Sequence, residues 1–558
     1  MVLARPTKEG ESDWSTDSAD RRLLPWVVVG LLFLLALSLR LWSIGHGLPS
    51  IYNPDEAAHF VPRAVDFVLT GDRNPDYLIN PPLVTYLFWV VFEVWFGGSA
   101  GLAETLSADP SAPYQVARVV IAMIGAVGVV VAFLAGKLMG GVRVGLVAAS
   151  LTAVAFLPVH WSHFATNDVA AMVAGSVCLL GTAWVLRDGR IPAYLVAGAG
   201  LGLATGTKYT AGIMLLPLLT ATFFKWREDR RPALIGLLTA GAAAIVTFLL
   251  SVPPLLFDFQ NSLQDLNRLS LPGEGDPKIG QAQENGFVYY PWVVAWGLGW
   301  LASAAAVGGA VWLMMRKRPV ALTLIPTPLL YVAFMGGQPA FFGRWLLPVF
   351  PIVIVLAAFG VIATADFLTR RLRWPAVPVL VALCILVCLQ SLIHVVHMNL
   401  ALGRDDTRAL AAEWMEANIP ATERFVNQGI LVTPLLDLDP DLEGIQNRWD
   451  VVDQRAGDAV GARPQWLDQF ESDGACWVST SGLYSERVLL DAHLVPQAAD
   501  YYRGLQERGE VVFRASSYRE GAEPVPFNFE WVTNLYPFSF ERPGGEVVIY
   551  RLHGGACA

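Results

Sequence analysis

Long apolar runs separated by short polar loops fill the chain up to residue 398. The first run, from Leu23 to Leu39, follows Arg21 and Arg22 and has no small-residue cleavage site after it. It therefore predicts a retained membrane span and not a signal peptide. Ten further runs are each close to the roughly 20 residues that a span requires. They cover residues 116–138, 143–158, 168–186, 191–207, 209–224, 232–252, 289–315, 319–336, 345–369 and 375–398.

Basic residues occur in every second loop between these runs. The positive-inside rule assigns such loops to the cytoplasm, and eleven crossings from a cytoplasmic N-terminus satisfy all of them. The first outer loop, residues 45–115, and the C-terminal domain are then extracytoplasmic. One apolar run, 83–97, does not fit, because the loop after it has acids but no lysine or arginine. We interpret it as a hairpin or interfacial helix in the first outer loop. The basic loops contain Arg21/Arg22, Lys137/Arg143, Arg187/Arg190, Lys225/Arg227/Arg230/Arg231, Arg316/Lys317/Arg318 and Arg370/Arg371/Arg373.

Composition supports a membrane protein, since 54% of the 558 residues are hydrophobic and only 16% are charged, against roughly 25% charged in soluble domains. From Arg404 onward there are 25 acidic residues, 13 arginines and no lysine, a net charge of −12. The whole chain carries −9, so the part before Arg404 carries about +3. No basic stripe lies outside the short loops, which argues against nucleic acid as a partner.

Three segments follow from these patterns. Residues 1–22 are polar and predict a disordered cytoplasmic tail. Residues 23–398 contain the apolar runs and are predicted to form the membrane domain. Residues 399–558 mix helical patterns with short strand-like runs, which predicts a soluble α/β domain on the outer side. This domain contains Cys476 and Cys557, and an oxidising compartment permits either a disulfide bond between them or two free thiols.

The unusual polar residues collect in the outer loops of this topology. Each one has a structural explanation: Asp168 can cap a helix, and Lys208 and Arg344 can reach toward lipid headgroups. The histidines can likewise be structural. As a group, however, these residues predict one site at the outer membrane surface. They are Asp55, Glu56, His59 and Asn80 in the first outer loop, His160, His163, Asn167 and Asp168 in HWSHFATND, Lys208 and Tyr209 in TGTKYT, and Gln338 and Arg344 in GGQPAFFGRWLLP.

The charge types of this group indicate a chemistry. A positioned carboxylate is a competent general base for a hydroxyl acceptor, and single Lys and Arg side chains at the membrane edge suit a lipid phosphate. Neighbouring residues on a helix point about 100° apart, so Asp55 and Glu56 should divide their work. We expect Asp55 to face the cavity as base and Glu56 to face structural partners or orient the acceptor. His59, four residues after Asp55, is expected to tune it by a hydrogen bond.

A family resemblance is carried by several motifs in order: RLWSIGHGLPSIYNPDEAAHF (40–60), NPPL, SHFATNDV, GLATGTKYTAGIMLLPLL, GRWLLPVFP and DTRALAAEWMEANIP. Together they resemble the GT-C glycosyltransferases related to the dolichyl-phosphate-mannose protein mannosyltransferases, glycosyltransferase family 39. The resemblance extends to about residue 425. It implies a GT-C-like polytopic fold of about eleven transmembrane helices with juxtamembrane helices in the outer loops, followed by the α/β domain.

The resemblance also implies an activity, the inverting transfer of a sugar from a polyprenyl-phosphate donor on the outer face of the cell membrane. By that resemblance Asp55 is the catalytic base, Glu56 its acidic neighbour and Asp168 the second acid. Lys208 and Arg344 match positions that meet the donor phosphate. The remaining polar residues of the group are expected to position the acceptor; they are His59, Asn80, His163, Asn167, Tyr209 and Gln338.

Several properties stay open. The acceptor is a glycolipid, a cell-envelope glycan or a protein, and the protein is disfavoured because the chain has no room for the family's added sensor domains. No obligatory metal is predicted, since His59, His160 and His163 lack a recognised ligand spacing, although a divalent ion remains possible. The expected partners are the lipid-linked donor and membrane lipids, and the sequence does not give the oligomeric state.

Two other classes of function compete with the enzyme. A transporter or flippase of a lipid-linked or anionic substrate would place its charges near the bilayer midplane, commonly in repeated halves. Here the acids lie in outer loops, and the NPDE segment has no second copy. A membrane-anchored scaffold would leave Asp55, Lys208 and Arg344 without a role.

Overall fold

The computed structural model describes residues 19–269, 279–281, 285–420, 422–427, 450–453 and 461–558. The first helix begins at Ala19, so the boundary predicted at residue 22 falls inside a helix. Residues 1–18 of the predicted tail lie outside the described part of the chain.

The membrane domain is built from α-helices, here numbered α1 to α19 in chain order. Short turns of other helix types join several of them: a π-helical turn at Glu56–Phe60 and 3₁₀ helices at Tyr209–Met214 and Gly343–Val349. The α-helices are α1 Ala19–Leu41, α2 Val61–Thr70, α3 Leu83–Phe96, α4 Gly98–Ala108, α5 Ala112–Gly140, α6 Val142–Val154, α7 Phe156–Trp161, α8 Asp168–Asp188, α9 Ile191–Thr207, α10 Leu215–Glu228, α11 Arg230–Ser251, α12 Pro254–Phe257, α13 Phe259–Leu269, α14 Gly286–Leu298, α15 Trp300–Arg316, α16 Arg318–Leu324, α17 Pro326–Met335, α18 Phe350–Leu372 and α19 Ala376–Leu402.

Seven stretches of the described chain are long and apolar enough to cross a membrane, and two bent helix pairs raise the number to nine. Helices α6 and α9 are apolar but shorter. Each of the eleven predicted spans falls mostly within helices, which confirms the polytopic helical class. The seven stretches are Leu23–Leu41, Ala112–Gly140, Asp168–Asp188, Arg230–Ser251, Arg318–Met335, Gly343–Leu372 and Ala376–Asn418; the bent pairs are α3 with α4 (85°) and α14 with α15 (112°).

The pair α3–α4 contains the apolar run that did not fit the loop charges. Just before α3, the carbonyl of Leu78 accepts a hydrogen bond from the Tyr209 hydroxyl at 2.9 Å. Just after α4, in the second turn of α5, Arg118 forms an ion pair with Glu56 at 2.7 Å. The chain therefore enters and leaves this pair beside the same group of outer-loop residues. That geometry agrees with a hairpin that rejoins the face from which it starts.

A break separates α6 from α7 just before the HWSHFATND loop. Pro158 has no N–H for the carbonyl four residues earlier, and its ring crowds that carbonyl; the helix ends and Ala155 turns extended, with ψ of 125°. The fully buried guanidinium of Arg40 donates to the carbonyls of Thr152 and Ala153, each at 3.2 Å. The broken helix and the buried cation thus satisfy each other's hydrogen bonds.

The C-terminal domain is a five-stranded mixed sheet with helices, which confirms the predicted α/β class. The sheet order is β2-β1-β3-β5-β4; β1 is parallel to β2 and β3, and β5 is antiparallel to β3 and β4. Cys476 and Cys557 form a disulfide bond, one of the two alternatives that the sequence leaves open. The strands are β1 Arg424–Asn427, β2 Asp450–Asp453, β3 Trp477–Ser481, β4 Gly509–Ala515 and β5 Val547–Leu552; the helices are α20 Thr407–Asn418, Gln465–Asp473, Gly482–Leu490 and Pro496–Arg508.

The connection between β4 and β5 docks the domain onto the membrane helices. We call residues 528–540 of this connection the inserted segment. Its Tyr536 and Phe540 belong to the same buried apolar cluster as the membrane helices. Its Phe538 ring lies 4.9 Å from the ring of His397, and the His397 Nε2 lies 3.0 Å from the carbonyl of the preceding proline. The inserted segment therefore belongs to the apolar core of the membrane helices, whereas the sheet and its helices have a core of their own.

Candidate active site

The NPDE turn is shaped by its asparagine. The Asn53 side-chain oxygen accepts hydrogen bonds from the backbone N–H groups of Asp55 and Glu56, at 3.0 and 3.3 Å. These bonds cap the π-helical turn Glu56–Phe60, a rare helix type that occurs frequently at functional sites. The turn sends the two neighbouring carboxylates in different directions.

Glu56 is fully buried and serves the framework. Its oxygens lie 2.7 and 2.8 Å from the guanidinium nitrogens of Arg118, and one of them also accepts from the backbone N–H of Ala165 at 3.0 Å. Arg118 in turn donates to the carbonyls of Ile44 and His46. The pair joins the turn after α1, the NPDE turn, α5 and the loop before α8. This geometry gives Glu56 structural partners and a fully buried side chain.

Asp55 is partly exposed and pairs with Arg344. The carboxylate and guanidinium are 2.7 Å apart, and the two side chains are 28% and 16% exposed. The Arg344 guanidinium also lies over the rings of Trp161 and Phe342, at 5.0 and 5.1 Å from their centroids. Arg344 is thus held by aromatic faces and one carboxylate while part of its fork remains accessible.

A second ion pair joins the other predicted acid and cation. The ammonium group of Lys208 bonds to the carboxylate of Asp168, which is 2% exposed, whereas Lys208 is 12% exposed. Asp168 lies in the first turn of α8, where the helix dipole favours a negative charge. The Asn167 side chain donates to the carbonyl of Thr207 at 2.8 Å. These two contacts fix the turn after α9 against the start of α8.

The stretch from Tyr77 to Asn80 connects the two ion pairs. The Tyr77 ring stacks on His59 at 4.5 Å, near Asp55, and its hydroxyl accepts from the Asn80 amide at 3.3 Å. Next to Tyr77, the carbonyl of Leu78 accepts from Tyr209, the neighbour of Lys208. The structure therefore brings most of the predicted residues to one end of the helices: Asp55, His59, Asn80, Asn167, Asp168, Lys208, Tyr209 and Arg344.

Two predicted residues lie apart from this group. His163 is buried, with Nδ1 and Nε2 facing the carbonyls of Val159 and Trp42 at 2.9 and 3.0 Å, so it supports the loop from within. Gln338 follows α17 and donates to the carbonyl of Phe334 at the end of that helix, at 3.2 Å. Neither side chain contacts the residues of the two ion pairs through these bonds.

The hydrogen bond expected between His59 and Asp55 is replaced by other contacts of the ring. The imidazole stacks on Tyr77, and its Nδ1 lies 3.4 Å from the guanidinium of Arg63. Burial lowers the pKa of His59 more than the nearby Asp55 raises it. The ring is therefore neutral near pH 7 and interacts with Asp55 through space.

Three functional neighbours escaped the sequence analysis: Arg118, Trp161 and Glu530. Trp161 lies inside the HWSHFATND motif, so its place in the motif was a usable signal. Arg118 is a single cation at the start of an apolar run, and this was a weaker signal. Glu530 comes from the inserted segment, and no pattern in the sequence connects it with the membrane domain. Among the described residues, no group of three or more His, Cys, Asp or Glu is arranged to hold a metal ion.

Known proteins are similar to this chain in part of its sequence and in its fold. The family profile described as dolichyl-phosphate-mannose-protein mannosyltransferase matches residues 111–257, which include Asp168 and Lys208 but neither Asp55 nor Arg344. The structure is similar to ArnT from Cupriavidus metallidurans in the apo state, with a TM-score of 0.51 over 85% of this chain and 95% of that one. The chain has the GT-C fold. This fold confirms the resemblance that the sequence motifs indicate.

A second structure with the GT-C fold is the oligosaccharyltransferase AglB from Archaeoglobus fulgidus, in complex with an inhibitory peptide and a dolichol-phosphate. It is similar with a TM-score of 0.54, over 93% of this chain and 76% of that one. Sequence identity is 17% to ArnT and 13% to AglB, so the likeness is one of fold. No curated protein matches the sequence.

The two neighbouring carboxylates should respond differently to removal of their charge. We expect Glu56→Gln to lower the free energy of unfolding by about 3–5 kcal/mol, because it leaves Arg118 as a buried, uncompensated cation. Asp55→Asn should cost about 1 kcal/mol or less, since its ion pair is partly exposed. Thermal unfolding of the purified protein in detergent measures both variants. Equal destabilisation by the two substitutions would contradict the structural role of Glu56.

Proposed function

We propose that the chain is a glycosyltransferase that moves a sugar from a polyprenyl-phosphate donor to a hydroxyl acceptor at the outer face of the membrane. The observation that carries the proposal is the pairing of a partly exposed carboxylate, Asp55, with a partly exposed guanidinium, Arg344, at the ends of the membrane helices. The complex of AglB with a dolichol-phosphate supports a lipid phosphate as the group that such a cation receives.

The reaction is a single inverting displacement. The acceptor hydroxyl oxygen forms a bond to the anomeric carbon while the bond from that carbon to the phosphate oxygen breaks. The hydroxyl proton passes to Asp55 as general base. The electron pair of the broken bond leaves with the polyprenyl phosphate, and Arg344 and Lys208 stabilise its negative charge. The proposal assigns charge stabilisation to these cations and includes no obligatory metal ion.

The ion pair between Asp55 and Arg344 links donor binding to the base. A carboxylate that is bonded to a guanidinium has fewer lone pairs available for a hydroxyl proton. The donor phosphate is a diester with a single negative charge, but its two non-bridging oxygens match the guanidinium fork, so it competes with Asp55 for the same nitrogens. Its binding frees Asp55 beside the sugar that is to be attacked. Binding of the donor phosphate to Arg344 therefore places the sugar and makes Asp55 available as a base in the same step.

The second pair has a different role in the proposal. Asp168 is more buried than Lys208, so it acts as the fixed partner that aims the ammonium group. Lys208 is the lesser contributor to phosphate binding, because it is less exposed than Arg344 and lacks the planar fork of a guanidinium. Glycolipid, envelope glycan and protein remain the classes of acceptor.

A transporter is the less favoured function. Its charged residues would lie in broken helices near the middle of the bilayer. These three charges instead lie at helix ends: Asp55 directly before the π-helical turn Glu56–Phe60, Lys208 directly after α9, and Arg344 at the start of the 3₁₀ helix Gly343–Val349. Charges at helix ends suit a reaction at the membrane surface.

Loss of the proposed base should abolish turnover without loss of donor binding. We expect Asp55→Asn to lower the rate of polyprenyl phosphate release from a panel of polyprenyl-phosphate sugars by roughly 10²–10⁴-fold. Donor affinity should stay the same or rise, since Arg344 loses its competitor. Asp258→Asn is the matched control, because Asp258 is an outer carboxylate that accepts from Asn74 and Asn261. Near-normal turnover of folded Asp55→Asn would exclude Asp55 as the base.

The proposed phosphate contacts can be separated by substitution. We expect Arg344→Ala to weaken donor binding more than Lys208→Ala, and Arg344→Lys to weaken it as well, because lysine lacks the planar fork. Donor binding is measured with a polyprenyl monophosphate in detergent. Arg404→Ala, which removes an exposed arginine paired with Glu541, should bind normally. Unchanged affinity in both alanine variants at positions 208 and 344 would rule out the phosphate contacts.

The proposal also requires the site and the C-terminal domain to be extracytoplasmic. Two observations support this orientation: the disulfide bond of Cys476 and Cys557, which suits an oxidising compartment, and the ion pair of Arg143 with Asp366, which joins two predicted cytoplasmic ends. A reporter that is active only outside the cytoplasm, fused after Ala558, should therefore function. Activity of a cytoplasm-only reporter at the same position would reject the orientation.

A further inference from the structure

The turn that carries Arg344 is anchored at alternate residues by side chains from elsewhere in the chain. At Phe341 the amide of Gln281 exchanges hydrogen bonds with both the carbonyl and the N–H, at 3.0 and 3.4 Å. At Trp345 the carbonyl accepts from the hydroxyl of Tyr331 at 2.5 Å. Between them, the N–H of Gly343 donates to the carboxylate of Glu530 at 2.9 Å. Backbone on either side of Arg344 is therefore fixed by buried polar groups.

Glu530 belongs to the inserted segment and is fully buried. Besides Gly343, its carboxylate receives hydrogen bonds from the hydroxyl of Tyr289 and from the side-chain amide of Asn534, the latter at 2.6 Å. No lysine or arginine of the described chain forms an ion pair with it. A buried carboxylate is tolerated only where hydrogen bonds replace water, so its position is strongly determined.

The backbone of the turn packs closely against the Glu530 carboxylate at Gly343. A Cβ atom added at Gly343 would meet the Glu530 Oε2 at 3.0 Å, and the side chains of Val293 and Trp296 at 3.2 and 3.3 Å. The close approach leaves no space in which the turn could slide. A shift of Glu530 therefore moves the backbone next to Arg344.

A second path leads from Glu530 to the other side of Arg344. The Asn534 side-chain oxygen lies 3.3 Å from the Nε2 of His160, a fully buried residue. His160 directly precedes Trp161, whose ring lies under the Arg344 guanidinium. Glu530 thus supports both the backbone beside the guanidinium and the loop that carries its aromatic platform.

We propose that Glu530 is a positioning residue, supplied by the C-terminal domain, that sets the place of the Arg344 guanidinium for the donor phosphate. The inference rests on the proposed function, since it concerns the same phosphate contact. It gives the C-terminal domain a specific part in the site, because the Glu530 carboxylate contacts the backbone of the turn at Gly343 while Asp55 contacts the Arg344 side chain.

The test exchanges the acid and the amide of this contact. In Glu530→Gln an amide N–H₂ group faces the N–H₂ group of Asn534, and we expect the dissociation constant for a polyprenyl monophosphate in detergent to rise about tenfold. The double variant Glu530→Gln/Asn534→Asp restores one acceptor opposite one donor, and affinity should return to within about threefold of the original. A residue with a merely general effect on folding would not be rescued by this exchange.

Arg344→Ala provides the coupling test. If Glu530 acts through Arg344, Glu530→Gln should have no further effect on binding in an Arg344→Ala background, because contacts in one network are not additive. Phe538→Ala is the matched control: this residue belongs to the same inserted segment and contacts His394 and His397, away from the turn. Its affinity for the polyprenyl monophosphate should be unchanged. Thermal unfolding shows which variants are folded. If Glu530→Gln alone does not fold, the affinity of the double variant Glu530→Gln/Asn534→Asp decides the test.

The outcomes distinguish the two proposals. A large loss of affinity in Arg344→Ala, with wild-type affinity in Glu530→Gln, overturns the role of Glu530 and leaves the proposed function standing. Unchanged affinity in Arg344→Ala overturns the phosphate contact and the role of Glu530 with it. An equal loss in Phe538→Ala, or full additivity with Arg344→Ala, also overturns the role of Glu530.

Discussion

The ion pair between Glu56 and Arg118 is the contact on which the arrangement of the site depends. It is fully buried, and its hydrogen bonds reach the turn after α1, the first residues of the NPDE turn, α5 and the loop before α8. Because Glu56 is turned inward by this pair, its neighbour Asp55 is turned outward. The exposure of one carboxylate is thus a consequence of the burial of the other. Two adjacent acids beside a membrane thus have different roles: Glu56 holds the framework, and Asp55 is exposed.

Two other buried charged groups near the site are solvated by polar groups, and neither forms an ion pair with a residue that the structure describes. Arg40 donates to carbonyl oxygens at a break between helices and to the hydroxyl of Ser162. Glu530 accepts from an N–H group, a hydroxyl and an amide. In both cases the charged group replaces hydrogen bonds that an irregular backbone cannot make within itself. Irregular turns at the membrane end are therefore compatible with a rigid site.

Sequence patterns predict the helical membrane domain, the α/β domain and the loops that converge, because hydropathy and loop charge act along the chain. They also predict the residue types at Asp55, Asp168, Lys208 and Arg344. They do not predict which cation meets which acid: Lys208 pairs with Asp168, and Arg344 pairs with Asp55. Pairing depends on distances between loops, and these are set by helix packing. Glu530 was not predictable for the same reason.

The inserted segment has a consequence for the order in which the protein is made. Synthesis proceeds from the N-terminus, so the segment of residues 528–540 leaves the ribosome after every helix of the membrane domain. Until it has docked, Gly343 lacks the acceptor for its N–H, and the rings of Phe342 and Trp292 lack their contacts with Phe529 and Trp531. The turn that carries Arg344 is therefore completed late in biogenesis. A nascent chain that is already fully inserted in the bilayer still has an unfinished turn, and maturation ends with the docking of a segment from the opposite end of the sequence.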